Sequence, residues 1–252
     1  MTYSMIGRCP DTGSFGGVIG TSALAVGNRC LKVVHRRGAF LSQHRTDSRL
    51  AEMGIDLLAQ GNSAPDAIDR VAASQDTIDW RQLAALDQHG RTAVFHGRMM
   101  YSIYNGTEGR DCVAIGNILA TPDVTDAMVA AFEAAAGEPL AERLLRGLEA
   151  GREAGGEIVE PVRSAALLVS GGDGVTQFDL RVDRSEEAVQ ALRDLFVAYG
   201  QQHNFLRSVA LTPDDVPVSR GLFQASITRI RELGLEDSFP TEARQSEWKL
   251  RD

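Results

Sequence analysis

Thr2-Tyr3-Ser4-Met5-Ile6-Gly7, the segment Arg8-Cys9-Pro10-Asp11-Thr12-Gly13 after it, and the small-residue run from Phe15 to Leu24 decide the fold of this chain. Loose alternation, then proline, aspartate and glycine in turn positions, then a β-rich run read as an antiparallel hairpin over residues 2–25. The same stretch carries a chemical possibility. A methionine before a small residue such as threonine is normally trimmed, which would leave Thr2 with both a hydroxyl and a free α-amine. With a reference pKa of about 7.7 to 8.0, that amine can take the hydroxyl proton near neutral pH, so nucleophile and base share one residue. Met-Thr is also a common chain start, and the dipeptide alone is a motif rather than a function.

Outward from the hairpin, Lys32–His35 and Gly38–Gln43 read as two further short strands of a β-meander. From Ser48 the period changes to helical: Leu50, Met53, Ile55, Leu57 and Leu58 lie on a helix that stops at Gly61, and Ser63-Ala64-Pro65-Asp66 caps a second helix. Gln82–Asp87 and Thr92–His96, joined at His89-Gly90-Arg91, form a second hairpin, and Asp111–Gly116 adds a strand. Asp123–Ala136 and Leu140–Ala150 are alanine- and leucine-rich helices parted at Gly137-Glu138-Pro139. Arg163–Ser170 is a near-continuous apolar run suited to a central strand, and Gly171–Gly174 suits the turn that follows it.

Hairpin, helix pair, hairpin, helix pair, strand pair is an α+β order, and a four-layer αββα sandwich of two antiparallel sheets between helix pairs is its natural packing. The domain is expected to span residues 1–200, with Glu186–Gly200 its last helix. Residues 201–252, with a short helix near Leu222–Leu233, are expected to form a helical C-terminal appendage on the core or on a partner subunit.

Composition narrows the function classes. A chain of 252 residues with 43% hydrophobic and 24% charged content supports a globular core, and a net charge of −8 disfavours nucleic acid and anionic membrane as partners. Three separated cysteines (Cys9, Cys30 and Cys112) indicate neither a disulfide framework nor a zinc knuckle. No signal peptide or membrane span is read, so a cytoplasmic protein is expected. The five histidines are scattered without ligand spacing, phosphate-binding glycine motifs are missing, and no metal or cofactor is expected.

Among single residues, Asn117 follows an apolar strand and could donate to an oxyanion or simply hold a turn. Ser42-Gln43-His44-Arg45-Thr46-Asp47 is the densest polar run at a strand-to-helix junction, a place that collects both sites and helix caps. Cys9 reads best as a turn residue. Tyr101 and Tyr104, in the loop expected at Arg98–Arg110, could line a pocket or pack.

Taken in order, Thr2–Ile6, Asp11-Thr12-Gly13, Ala25-Val26-Gly27, Gly116–Leu119, Ala141–Leu145, Ser164–Val169 and Asp179–Asp183 resemble the bacterial domain-of-unknown-function family 1028 over about residues 2–200. That family is placed with the N-terminal-nucleophile hydrolases, αββα sandwiches that mostly cleave amide bonds. The resemblance implies Thr2 at the nucleophile position and Asn117 and Gln43 near the same pocket; from their chemistry we infer an oxyanion donor and a substrate or amine orienter. His44 and Arg45 join Gln43 as candidate substrate-binding residues. The chain departs from the family pattern at Val162-Arg163-Ser164, at Met99-Met100 and after Gln43. The expectation is a hydrolase of a small non-peptide amide acting through Thr2 as a homodimer. The alternative is a catalytically inactive small-molecule-binding or scaffold protein of the same fold, and an intermediate variant would be a hydrolase that uses Ser4, Cys9 or His44 instead of Thr2.

Overall fold

The computed structural model describes residues 2–158 and 161–252; Met1, whose removal the N-terminal chemistry requires, lies outside them. The chain divides into two compact units, Met1–Tyr199 and Gly200–Asp252.

The first unit is an αββα sandwich. Strands β1 (Thr2–Cys9) and β2 (Ser14–Thr21) form the expected hairpin at the centre of a six-stranded antiparallel sheet. Its order is β10-β9-β2-β1-β8-β7, with β7 at Tyr104–Gly109, β8 at Cys112–Asn117, β9 at Ser164–Ser170 and β10 at Thr176–Val182. The second sheet is β3-β4-β5-β6: Leu31–Val34, Gly38–Gln43, Gln82–Asp87 and Thr92–His96. Helices α1 (Ser48–Ala59) and α2 (Ala64–Ala72) cover the four-stranded sheet. Helices α3 (Asp123–Ala134) and α4 (Leu140–Glu153) cover the six-stranded one.

Strand alternation makes this layering possible, because successive side chains point to opposite faces. Along β1, Tyr3 and Met5 enter the core beneath α3 and α4, with Phe132, Leu144 and Leu148. Ile6 faces the other way, into a core between the sheets that also holds Leu41, Ala84, Leu86, Val113 and Ile115. In the second sheet, Phe40, Leu83 and Ala85 pack instead on Leu50, Leu57 and Ile68 of the outer helices. Helix starts are fixed by side chains the sequence offers for it: Asp47 accepts from Arg49 N at the head of α1, and Ser63 from Asp66 N at the head of α2.

Two elements differ from expectation. The segment read as a loop at Arg98–Arg110 contains β7, which pairs in register with β8 from Tyr104↔Asn117 to Gly109↔Cys112. Tyr-Asn-Gly-Thr-Glu-Gly lacks apolar alternation because β7 is an edge strand, where short polar sequences are tolerated and discourage further pairing. The helix expected to end at Gly200 runs from Ala188 to Leu211 as α5, since one glycine costs only about 1 kcal/mol within a run of good helix formers.

The second unit carries the end of α5, helix α6 (Arg220–Glu232), and two-residue strands β11 (Val218–Ser219) and β12 (Leu250–Arg251) paired in parallel. Phe223 of α6 meets Trp248 with ring centroids 5.4 Å apart.

Candidate active site

The core between the sheets ends in polar side chains at the start of β1. Thr2 and Ser4 precede Ile6 on the inward face of that strand, and the register Thr2↔Asn117 and Ser4↔Ile115 puts Asn117 beside Thr2 on β8. From the facing sheet, Gln43 closes β4 and Gln82 opens β5 as direct partners. The result is a cap of four polar residues over an apolar layer: Ser4, Gln43 and Gln82 are fully buried and Asn117 is 1% exposed.

Burial obliges these groups to satisfy one another. Ser4 Oγ donates to Gln43 Oε1 (2.7 Å), and Gln43 Nε2 donates to Gln82 Oε1 (2.8 Å). Gln82 Nε2 donates to the Gly116 carbonyl (2.8 Å), with the Asn105 carbonyl and His96 Nδ1 also in range. Carbonyls only accept, so the orientation of Gln82 is set by Gly116 and passes along the chain of amides. Gln82 Oε1 is therefore an acceptor, and Asn117 Nδ2 donates to it at 3.0 Å. Asn117 Oδ1, turned away, is buried and has no hydrogen-bond partner among the described residues. An unpaired buried acceptor costs about 1 to 3 kcal/mol.

Thr2 itself is 7% exposed, and its Oγ1 lies 3.3 Å from Thr21 Oγ1 on β2. Both line a cleft of about 180 Å³ together with Asn117, His44, Arg45 and Tyr101. His44 Nδ1 donates to the Trp80 carbonyl at 2.7 Å, which leaves Nε2 as the ring's acceptor in the neutral state. Burial pushes the His44 pKa below the ordinary histidine value; the Trp80 carbonyl opposes that shift, and the charges of Arg45 and Arg81 add to it. The Arg45 guanidinium lies 4.1 Å from the centroid of the Trp80 ring. Cys30 also lines the cleft, where burial raises its thiol pKa and keeps it protonated and inert.

The backbone around this cleft is unusual. His44 (φ 54°), Arg45 (φ 48°) and Ile118 (φ 55°) all line it in left-handed conformations without being glycine. The cost is about 1 to 2 kcal/mol per residue, and for a β-branched residue such as Ile118 the conformation is an outlier. Such strain persists only where surrounding structure holds it, and it concentrates at functional sites.

Of the residues singled out from sequence, Thr2, Asn117, His44, Arg45 and Tyr101 meet at this cleft. Gln43 stands behind it, fully buried, its amide taken up by Ser4 and Gln82. Ser4 is shut in beside it. Cys9 lies seven residues further along β1, about 23 Å away at 3.3 Å per residue, and lines a separate cavity of about 450 Å³ with Arg110 and Arg143. Tyr104 packs on His96 of β6 with ring centroids 5.2 Å apart. Sequence reading missed Gln82, Thr21 and Arg29. Gln82 had a signal of its own, a glutamine heading an otherwise apolar strand opposite the glutamine that ends the previous one.

Among the described residues no group of three or more histidine, cysteine, aspartate or glutamate side chains could hold a metal ion, and no helix is long and apolar enough to cross a membrane. The family model described as a family of unknown function (DUF1028) matches residues 2–192. Protein SPO2555 from Silicibacter pomeroyi, a solved structure carrying the same family model, is 30% identical, with a TM-score of 0.72 over 80% of this chain and 85% of that one. Anbu (ancestral beta-subunit) from Yersinia bercovieri aligns at 9% identity over 81% of this chain and 97% of that one, with a TM-score of 0.38, too slight a likeness to argue from. No curated protein matches.

Proposed function

We propose, for a chain that belongs to the family of unknown function DUF1028, that it is an N-terminal-nucleophile hydrolase cleaving the C–N bond of a small amide through Thr2. The observation that carries the reading is the pairing of Thr2 with Asn117 at the strained cleft mouth, where Asn117 Oδ1 is a buried acceptor without a partner among the described residues.

Removal of Met1 supplies the base. The Thr2 α-amine takes the hydroxyl proton as Oγ1 attacks the amide carbonyl, forming the C–O bond and a tetrahedral oxyanion. The same amine, now protonated, gives its proton to the leaving nitrogen as the C–N bond breaks and an ester remains on Oγ1. Water attacks that ester, again losing its proton to the amine, and releases the acid. Asn117 is suited to two tasks. One of its N–H bonds is tied to Gln82 and the other is available to an oxyanion, while Oδ1 can accept from the α-amine and aim its lone pair at the hydroxyl. Gln43 and Gln82 act as positioning residues, fixing which end of the Asn117 amide is donor. His44, neutral and anchored by Trp80, forms part of the wall.

The test begins with the intact mass of the protein from its native host, which is expected to lack Met1. That protein should release ammonia from one or more members of a panel of small primary amides, with kcat/KM rising through a midpoint near pH 8 as the amine deprotonates. Thr2→Ala should abolish release and Thr2→Ser retain part of it. A mature chain that keeps Met1, or undiminished activity in Thr2→Ala, sinks the mechanism.

A further inference from the structure

We infer that the cleft at Thr2 selects amides that carry a carboxylate, through Arg29 and Arg45. The inference rests on the hydrolase reading only for what happens to the ligand after it binds.

The charge inventory of the cleft is one-sided. Arg29, Arg45 and His44 line it, and among the described residues no aspartate or glutamate does, in a chain whose net charge is −8. Neither arginine has a carboxylate in ion-pair range among the described residues, whereas Arg8, Arg49, Arg91, Arg98 and Arg193 all do. The acid nearest in sequence to Arg45, Asp47, is engaged elsewhere: Arg49 holds its carboxylate with bonds of 2.9 and 2.7 Å, and its pKa is lowered to about 2 chiefly by that contact.

Both guanidiniums are held without being used up. Arg29 Nη1 donates to the Leu24 and Ala25 carbonyls at 2.9 Å each, and this leaves Nε and Nη2 for a ligand. Arg45 rests on the Trp80 face, a contact that uses the guanidinium's π surface and spares its N–H edge. Two oriented guanidiniums suit the planar fork of a carboxylate, to which each can donate paired bonds.

Size limits the rest of the ligand. A cleft of about 180 Å³ holds roughly six water volumes at about 30 Å³ each, the bulk of an amide with a short acid chain. The Thr2 hydroxyl would meet the amide end and the arginines the acid end. Succinamate has this shape, and hydrolysis by one water would give succinate and ammonia.

Binding is measured by calorimetry in full-length Thr2→Ala, which removes turnover, with succinamate and its uncharged isostere succinamide as probes. Succinamate should bind about tenfold tighter or better, the worth of one or more charge-assisted bonds. In the same background, Arg29→Gln with Arg45→Gln should bring the ratio to about threefold or less, chiefly by weakening succinamate. Equal binding of the two probes, binding of neither, or a preference that survives the double substitution overturns the inference. Ammonia release by the Thr2 protein separates the two readings. Charge-selective binding with no release from these or any amide of the panel removes the hydrolase and keeps the carboxylate site, and release from both without charge preference does the reverse.

Discussion

Gln82 is the residue on which the geometry of the site turns. It is fully buried, heads β5, and joins Gln43, Asn117 and the Gly116 carbonyl. Gln82→Leu, of similar volume, would strand the Gln43 and Asn117 amides and a strand carbonyl in a dry layer at about 1 to 3 kcal/mol per unsatisfied group. A loss of about 3 kcal/mol or more is expected in urea unfolding, together with loss of amide turnover as Asn117 becomes free to rotate. Unchanged stability would show that the amide chain does not hold the site. The neighbouring histidines add a pH dependence. Burial lowers the pKa values of both His44 and His96, so the folded state disfavours their charged forms. Between the folded value and the ordinary value near 6.5, the unfolded chain binds more protons, and stability rises with pH there. Acidification from pH 7.5 to 5.5 should therefore lower the urea midpoint. His44→Gln and His96→Gln should each flatten that slope, and a slope unaffected by both would show that other groups set it.

Among the elements, α1 packs against its sheet through a glycine, Gly54, set over Phe40. A Cβ at Gly54 would come within 2.4 Å of the Phe40 ring, while one at Gly200 in α5 would meet nothing within 4 Å. Helix propensity favours alanine over glycine by about 1 kcal/mol at either position, but overpacking costs about 1 to 3 kcal/mol. Gly54→Ala should thus lower the melting temperature and Gly200→Ala leave it equal or raise it; the reverse order would show that α1 does not sit on Phe40. The contrast also marks what sequence makes legible. Periodicity, caps and turns located β1 to β6, β8 and all four sandwich helices, because each buries one face against a neighbour and must carry that face in its own residues. β7 buries little and carries no such pattern. The αββα sandwich was legible from the order of elements, and Thr2 from the chemistry of its own two groups. Gln82 and Arg29 were less so, because Gln82 takes its meaning from Asn117, 35 residues away in sequence, and Arg29 from the Leu24 and Ala25 carbonyls of a local turn.

At the scale of the whole chain, the three cores that make the sandwich are built from residues before Gly200: one beneath α3 and α4, one beneath α1 and α2, and one between the sheets. The ends of the first core include Leu192, Phe196 and Tyr199 of α5, so a chain ending at Tyr199 keeps every side chain assigned to it. The second unit is different in kind. Among its described residues Phe223 and Ile227 are the buried apolar side chains, while Phe205, Leu206, Val209, Leu222 and Phe239 are each at least 40% exposed. Its 53 residues bury too little apolar surface to offset the roughly 1 to 2 kcal/mol per residue that ordering a backbone costs. We therefore expect residues 1–199 to fold by themselves, with one cooperative thermal transition and with any amide turnover of the full chain retained, since Thr2, Asn117, His44 and Arg45 all lie within it. Residues 200–252 alone should show weak, non-cooperative loss of helical circular dichroism on heating. A truncated chain that aggregates, or an isolated tail that melts sharply, would place the stability of this molecule in a different part of its sequence from the one its cores indicate.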